Sequence, residues 1–400
     1  MRIQCTEELH DNGGPGVFML GRAEALLPSL VEQYAGKVQM IYLDPPFGTG
    51  DTFFVRLSAG SRSIRVPAYA DTREGMDYVD WMRGVLTGCY ELLAPTGSIY
   101  LHIDHRMNAQ MRLLLNEVFG EKNFMNEIVW CYKSGGRSTR YFPRKHDTIL
   151  FYRKSRNVYF DITAVGKPRG STKRNHMKRF ISEDGRIGFS IKSGGKTYVY
   201  YEDTPMYPSD VWDDIEHLQQ KDGERVGYAT QKPEALLRRM LLASSREGDL
   251  VVDLFSGSGT LAAAASQLGR RYLVSDASPY ALYTFRARQL KLGSKLSLLA
   301  GEHGMRLTYP LDDETAEMPL SLDYELTAEN GKRALQLNHA YFDKQHPLIY
   351  AALGTADGGR FFPAHTDCRV RLPVAWKLGE IEKPVLHVVD TLGRQAFWAL

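Results

Sequence analysis

Hydrophobic positions along the first part of the chain follow two different periods. The run VQMIYL (38–43) is apolar throughout, which is typical of a strand covered on both faces, and SIYLHID (98–104) predicts another strand. Apolar residues recur at helical spacing in 78–93 and in 107–119. Strands separated by helices predict a parallel sheet.

The same alternation returns near the middle of the chain. QKPEALLRRMLLASS (231–245) has helical spacing, with a proline near its start, where a missing N–H costs nothing. Residues 249–269 predict a strand, a glycine loop and a helix, and 270–290 predict a strand, an acidic residue and a helix. We therefore expect an α/β fold with a doubly wound, mostly parallel sheet.

Two segments lack this alternation. Residues 133–205 are basic, rich in glycine and interleaved with aromatics, so we expect an insertion of loops and short strands. After about residue 295, short apolar runs such as PVLHVVD predict a separate, mostly β appendage.

Composition narrows the class of protein. A chain of 400 residues with 43% hydrophobic and 24% charged residues has the composition of a soluble globular protein. No stretch approaches the roughly 20 apolar residues of a membrane span, and the N-terminus has no apolar signal core. Four scattered cysteines predict neither a disulfide framework nor a zinc site. We expect a cytoplasmic protein with no membrane partner.

The net charge of +3 is unevenly distributed. Between residues 133 and 196, 17 Lys and Arg stand against four acids, a net +13 that leaves −10 for the remainder. A basic block in an otherwise acidic chain favours a polyanion partner over a merely solvated surface. The cluster HIDH (102–105) lacks further ligands at metal spacing, so no metal site is predicted.

The predicted strand 38–43 ends on an unusual loop, DPPFGTG. A turn explains the acid, the prolines and the glycines, but it needs no aromatic residue. In open α/β sheets, ligands bind at the carboxyl ends of strands, at the point where the strand order reverses. If this strand neighbours the one before the glycine loop, both loops face one ligand.

The glycine loop VVDLFSGSGT (251–260) predicts such a ligand. Its glycines allow close approach of the backbone, and the following helix offers free N–H groups. No GKT or GKS follows, which disfavours a phosphate-binding P-loop. Asp276, at the end of the next strand, can accept both hydroxyls of a ribose, with a helix N-cap as the alternative role. Together these features predict an adenosine-containing cofactor.

Several ordered motifs resemble those of one enzyme family. DPPF, YATQKPEALLRRM and DLFSGSGT are similar to motifs of the S-adenosylmethionine-dependent amino-DNA methyltransferases, in the order of the β class. GSIYLHIDHRMNAQMRLLLNEVFGEKNFMNEIVW and KHDTILFYRKS resemble the modification subunits of type III restriction systems and their solitary relatives. The resemblance covers roughly residues 15–295. It implies a class I methyltransferase fold of circularly permuted order, S-adenosylmethionine as cofactor and double-stranded DNA as partner.

The resemblance also assigns the reacting groups. Catalysis falls to Asp44, Pro45, Pro46 and Phe47. The Asp44 carboxylate and the Pro45 carbonyl would hold an exocyclic amino group of a base, on a support that two prolines make rigid. Phe47 would stack on a base flipped out of the duplex.

The cofactor site is assigned in the same way. Around the glycine loop and the following strand, the resemblance implies contacts from Asp253, Phe255, Gly257, Ser258, Gly259, Thr260, Asp276 and Ala277. At the methionine end it implies contacts from Thr230, Gln231, Lys232 and Pro233, with Lys232 meeting the carboxylate. Taken alone, TQKP would be an ordinary helix start.

The acid that heads DPPF favours N6-adenine as the methylated atom. N4-cytosine methylation is the alternative within the enzyme class, and a DNA-binding regulator with an inactive methyltransferase fold is the alternative outside it. The absence of a Pro-Cys pair argues against C5-cytosine methylation. Arg22 stands where relatives carry an Asp that contacts the cofactor's adenine, and Gly48 stands where they often have Asn.

The resemblance, together with the change of pattern after about residue 295, divides the chain into four parts. We expect a catalytic half in 1–132, a basic target-recognition region in 133–205 and a cofactor-binding half in 206–298. Residues 299–400 form a C-terminal β-rich domain without an assigned role. A homodimer and a restriction subunit are the further partners that the resemblance implies.

Overall fold

The architecture is taken from a computed structural model of the chain. It describes residues 5–9, 16–59, 62–71, 75–133, 138–170, 176–219, 221–289, 305–309, 321–329, 332–368, 370–379 and 381–400.

The described helices have the following bounds: α1 (Ala23–Tyr34), α2 (Gly75–Leu92), α3 (Asn108–Phe119), α4 (Glu234–Ser244), α5 (Thr260–Gln267) and α6 (Pro279–Gln289). Short 3-10 turns cover Glu121–Asn123 and Ile162–Val165. Among the described residues, no helix is both long enough and apolar enough to cross a membrane.

The strands up to the middle of the chain are β1 (Cys5–Leu9), β2 (Gly16–Leu20), β3 (Val38–Leu43), β4 (Thr52–Ala59), β5 (Arg62–Ala70), β6 (Leu93–Ile103), β7 (Phe124–Cys131), β8 (His146–Arg153), β9 (Lys167–Pro168), β10 (Lys178–Ile181), β11 (Ile187–Ser193), β12 (Lys196–Tyr201), β13 (Pro205–Met206) and β14 (Val211–Trp212). The later strands are β15 (Leu250–Asp253), β16 (Arg271–Asp276), β17 (Met305–Tyr309), β18 (Ser321–Glu329), β19 (Lys332–Tyr341), β20 (Leu348–Asp357), β21 (Arg360–Asp367), β22 (Val374–Lys377), β23 (Val385–Asp390) and β24 (Gln395–Ala399).

The core is a parallel sheet inside a larger mixed sheet. Within the described residues, the order is β14-β7-β8-β6-β3-β15-β16-β2-β17-β1-β21-β20-β23-β24. The central strands β6, β3, β15, β16, β2 and β17 run parallel to one another, whereas β8 is antiparallel to both β6 and β7, and β1 is antiparallel to β17. The chain leaves β3 toward β6 and leaves β15 toward β16, so the order reverses between β3 and β15. The predicted doubly wound sheet is confirmed.

Helices cover both faces of this sheet. On β3, Ile41 and Leu43 pack with buried residues of α1, α2 and α3, whereas Met40 and Tyr42 pack with those of α4, α5 and α6. Because successive strand residues point to opposite faces, a strand buried on both sides must be apolar at every position. This is the physical reason for the unbroken run VQMIYL.

Part of the basic segment belongs to the central sheet. Residues 148–152 of β8 are buried between β6 and β7. The charge of 133–205 instead predicts an insertion outside the sheet. The apolar stretch ILFY supplies the area that this position buries. Strands β10, β11 and β12 form a separate antiparallel sheet outside it.

The C-terminal residues are β-rich, as expected from their short apolar runs. Strand β17 extends the parallel core beside β2, and β20, β21, β23 and β24 continue the same sheet. Strands β18, β19 and β22 form a second sheet, and Leu335, Leu337 and Trp376 from it pack with Leu353 and Leu386 of the large sheet.

Candidate active site

The two loops singled out in the sequence lie side by side. Strand β15 pairs with β3, with Val251 opposite Met40 and Val252 opposite Ile41. Asp44 and the glycine loop after Asp253 therefore leave the same edge of the sheet at adjacent positions. This edge is the switch point where open α/β sheets bind ligands.

A cavity of about 930 Å³ lies between these loops. The predicted residues that line it are Asp44, Pro45, Pro46, Phe47, Thr230, Gln231, Lys232, Asp253, Phe255, Gly257, Ser258, Thr260, Asp276 and Ala277. Two predicted residues are not among its lining: Pro233 is the N-cap of α4 and Gly259 is the N-cap of α5. The fold thus brings together segments that are about 200 residues apart in the sequence.

Asp44 is held by a buried cation. The Lys232 ammonium donates to Asp44 Oδ2 at 2.5 Å, and the two side chains are only 10% and 15% exposed. The same ammonium lies 5.5 Å from the centre of the Phe47 ring. Lys232, predicted to meet a cofactor carboxylate, is here the counter-ion of the predicted catalytic acid.

A buried acid that sequence reasoning missed fixes the loop after Phe47. Asp71 accepts hydrogen bonds from the backbone N–H groups of Gly48 (3.0 Å) and Thr49 (2.9 Å). Gly48 has a φ of +66°, a conformation that glycine adopts freely and asparagine tolerates best among the other residues. The backbone conformation therefore accounts for a glycine at position 48.

The glycine loop needs both of its glycines. Gly257 has a φ of +50° and donates its N–H to Asp276 Oδ2 at 2.8 Å. Gly259 has a φ of +78°, and a Cβ there would lie 2.3 Å from the Phe285 ring. A side chain at Gly259 would displace the Phe285 ring, which packs against the loop.

Asp276 is a desolvated acceptor that lines the cavity. Burial raises its pKa to about 6, even though N–H groups of Ser278, Gly257 and Ala277 stabilise the charged form. The bond from Ser278 N to Oδ1 (2.8 Å) resembles a helix-start bond ahead of α6, which is the alternative role considered from the sequence. Its carboxylate also lines the cavity, as a ribose ligand must.

A third acid, Asp253, lines the cavity within the field of Asp44 and Asp276. Burial raises the pKa of Asp253 well above its usual range, and the charges of Asp44 and Asp276 raise it further against the opposing effect of Lys232. Asp253 also accepts a hydrogen bond from Phe255 N at 2.9 Å, which shapes the start of the glycine loop. Burial among other acids therefore favours the neutral form of Asp253.

The cavity also contains an acceptor that the sequence did not reveal. Arg22 lines the cavity, and so does Glu24, in the first turn of α1. The indole N–H of Trp81 donates to Glu24 Oε2 at 3.1 Å, and the Trp81 ring meets Phe255 edge-on at 5.6 Å. A carboxylate thus lies two residues from Arg22.

A buried polar chain supports Phe47 from behind. His102 Nδ1 bonds Tyr42 Oη at 2.9 Å, and His102 Nε2 bonds Asp147 Oδ2 at 3.1 Å. The Phe47 ring stacks on His102 with centroids 6.1 Å apart. Although burial opposes it, the bonds from His102 and Tyr132 and the charge of Lys232 lower the pKa of Asp147 to about 2. The HIDH motif thus contributes a supporting imidazole, and no cluster for a metal ion occurs in the described ranges.

The geometry agrees with a family model. The model of the N6/N4 methyltransferases, described as DNA methylase, matches residues 38–286, more than half of the chain. The chain belongs to this DNA methylase family. It is therefore a DNA methyltransferase of the N6/N4 type, and the resemblance recognised from its motifs is confirmed.

Curated relatives of this DNA methylase carry related names. The type II methyltransferase M.EcaI of Enterobacter cloacae is 28% identical over 333 residues, covering 72% of this chain and 70% of the relative. The DNA adenine methyltransferase YhdJ of Escherichia coli K12 is 28% identical over 243 residues, covering 60% and 71%. A type III HindVI Mod subunit of Haemophilus influenzae is 23% identical over 412 residues, and the match spans only 52% of that protein.

A solved structure also matches part of the methylase. TTHA0409 of Thermus thermophilus, crystallised with S-adenosyl-L-methionine, is 16% identical, with coverage of 74% of this chain and 99% of that chain and a TM-score of 0.45.

Proposed function

We propose that this methylase transfers a methyl group from S-adenosylmethionine to the exocyclic N6 of an adenine flipped out of double-stranded DNA. The observation that carries the proposal is the position of DPPF at the end of β3, opening onto the same cavity as the glycine loop and Asp276. One space can therefore hold a methyl donor and an amino acceptor side by side.

The residues of the cavity fit the proposed cofactor. The Asp276 carboxylate provides an acceptor for ribose hydroxyls, and Phe255 and Trp81 provide apolar walls for an adenine ring. Glu24 provides an acceptor for an amino group, a role that Arg22 cannot fill. When bound, S-adenosylmethionine supplies an electrophilic methyl group on a cationic sulfur.

The DPPF loop prepares the amino group for attack. The nitrogen of an exocyclic amine is a poor nucleophile because its lone pair is delocalised into the ring. Hydrogen bonds to the Asp44 carboxylate and the Pro45 carbonyl favour a tetrahedral nitrogen with a localised lone pair. Lys232 occupies Oδ2 of Asp44, so Oδ1 is the oxygen left to accept the amine and then its proton.

Adenine is proposed over cytosine on two grounds. The motif begins with Asp44, which the resemblance associates with adenine, and YhdJ is named a DNA adenine methyltransferase. The matched family includes N4 enzymes, so N4-cytosine is the second candidate.

The basic block 133–196 is proposed as the DNA-contacting surface, with 133–205 as the target-recognition region. Its described Lys and Arg residues are largely exposed, on the loop before β8 and on β10, β11 and β12. Such residues neutralise phosphates and release counterions. We also propose the remaining boundaries given above, a homodimer and, from the HindVI Mod relative, a restriction subunit as partner. Light scattering of the purified chain tests the dimer.

The test uses purified protein, unmethylated plasmid and tritiated S-adenosylmethionine. We expect label in the DNA, which nucleoside analysis identifies as N6-methyladenine. Asp44→Ala should abolish transfer, whereas Asp51→Ala, which removes another carboxylate at the cavity rim, should retain it. Label in N4-methylcytosine would instead support N4-cytosine methylation. Binding of cofactor and DNA without transfer would refute catalysis and favour a regulator.

A further inference from the structure

One aromatic side chain beside the site is almost fully in solvent. Phe142 is 96% exposed, the most exposed large hydrophobic side chain of the described residues, and the adjacent Tyr141 is 59% exposed. An isolated phenyl ring in water is unfavourable by the apolar area it leaves uncovered. The position of this ring in the fold indicates what covers it.

The residues 138–145, called here the rim loop, lead into β8 at the active edge of the sheet. Because β8 is antiparallel to β6, with Thr148 opposite Ile103, its first residues lie at the carboxyl edge where Asp44 lies. The N–H of Tyr132, after β7, donates to Lys145 O at 2.9 Å, which closes the base of the rim loop.

The base of the rim loop contacts the buried chain behind Phe47. The Tyr132 hydroxyl donates to Asp147 Oδ1 at 3.1 Å, and Asp147 bonds the His102 imidazole on which Phe47 stacks. The rim loop therefore rises next to the place proposed for the flipped base.

The rim loop is cationic around its exposed ring. Arg140, Arg144 and Lys145 are not buried, and the Arg144 guanidinium lies 5.1 Å from the Tyr141 ring. The rim loop also has a defined turn, since Ser138 Oγ accepts from the N–H groups of Arg140 (3.2 Å) and Tyr141 (3.3 Å).

Arg144 of the rim loop lies near residues that border the cavity. Burial lowers the pKa of His105, and the nearby charges of Arg144 and Arg106 lower it further against Asp104. Arg106 lines the cavity and is paired with Asp104. The cations of the rim loop therefore stand close to an ion pair at the cavity. A second copy of this chain would have to bury these cations to cover Phe142, whereas a DNA backbone would neutralise them.

We propose that Phe142 is an apolar wedge that enters the duplex at the base step from which the target base leaves. This rests on the proposed function, because only an enzyme that extrudes a base needs the gap filled. Stacking of the ring on the exposed bases offsets part of the cost of unstacking. The flanking arginines hold the phosphates on both sides of the step.

The test compares matched and mismatched duplexes. The target site is first located by modified-base sequencing of methylated plasmid, and a short duplex is made with that site, with and without a mismatch at the target pair. We expect Phe142→Ala to lower the initial transfer rate on the matched duplex at least tenfold. On the mismatched duplex, where unpairing costs less, the loss should be under threefold. Phe142→Leu should restore most of the rate, because a wedge needs apolar bulk.

A second readout follows the base directly. With 2-aminopurine at the target position, the wild type should raise its fluorescence on binding, and Phe142→Ala should bind without that rise. Trp398→Ala, which removes an exposed aromatic outside the proposed target-recognition region, should behave as the wild type.

Several results would overturn the wedge. The first two are an equal loss of transfer rate for Phe142→Ala on both duplexes and no loss on either. The third is a loss that accompanies a change of oligomer mass in light scattering, which would assign Phe142 to a contact between copies of the chain. Failure of the proposed function itself is distinguishable, because the wild type would then transfer no label to plasmid.

Discussion

Protonation of Asp276 should control cofactor affinity in a defined pH window. Its ordinary pKa is about 3.9, and burial raises it to about 6 in this site. The ionised carboxylate accepts two ribose hydroxyls, whereas the protonated form loses acceptor capacity. If only the ionised form binds, the apparent Kd rises by a factor of 1 + 10^(pKa − pH), which is about tenfold between pH 8 and pH 5. Affinity should therefore be constant above pH 7 and fall as the pH drops through 6.

The assay is isothermal titration with S-adenosylhomocysteine, a product that cannot react, from pH 5 to pH 8.5. Asp276→Asn should bind more weakly at pH 8 and show no inflection near pH 6. His105→Gln removes a histidine next to Arg106, which lines the cavity, and should leave the wild-type profile unchanged. A flat profile for the wild type, or an inflection that survives in Asp276→Asn, would refute the assignment of Asp276 to the ribose.

Three further predictions concern the site and its surroundings. Lys232→Met should lower the melting temperature by several degrees, because it leaves the Asp44 charge buried without its partner, at a cost of about 3–5 kcal/mol. Asp44→Asn should destabilise the protein less, since it also relieves repulsion with neighbouring carboxylates. Differential scanning fluorimetry measures both, and the reverse order of melting temperatures would contradict this reasoning. Gly259→Ala should weaken S-adenosylhomocysteine binding at least tenfold. Gly248→Ala should not, because Gly248 also has a positive φ (+79°) but has nothing within 4 Å of the added Cβ. Equal effects would show that backbone strain alone is responsible. Arg144→Ala should reduce the slope of log affinity for DNA against log salt by about 1, and an unchanged slope would remove this side chain from the phosphate contacts.

The central elements were predictable because their causes are local. A strand buried on both faces must be apolar at every position, as the run 38–43 is. Gly257 and Gly259 have positive φ angles, which glycine adopts without steric cost. The proline at the start of α4 likewise acts within a few residues. The motifs around these elements were sufficient to recognise the family.

Other features depend on which residues meet across long distances in the sequence. Nothing near Lys232 in the sequence indicates that its partner is Asp44, 188 residues away. Glu24 is identified as an acceptor only because Trp81 and Phe255 pack beside it. The sequence assigns β8 to a basic insertion, and only its pairing with β6 shows that it belongs to the central sheet.

The sequence by itself determined the α/β alternation, the two loops with their residue types and the basic block. The tertiary structure decided that the two loops share one cavity, which acid holds the buried lysine and where the exposed phenylalanine stands. The physical reason is that backbone conformation and burial period are set within a few residues. Ion pairing, desolvation and the position of a surface loop instead depend on strand order, which the chain establishes only when it folds.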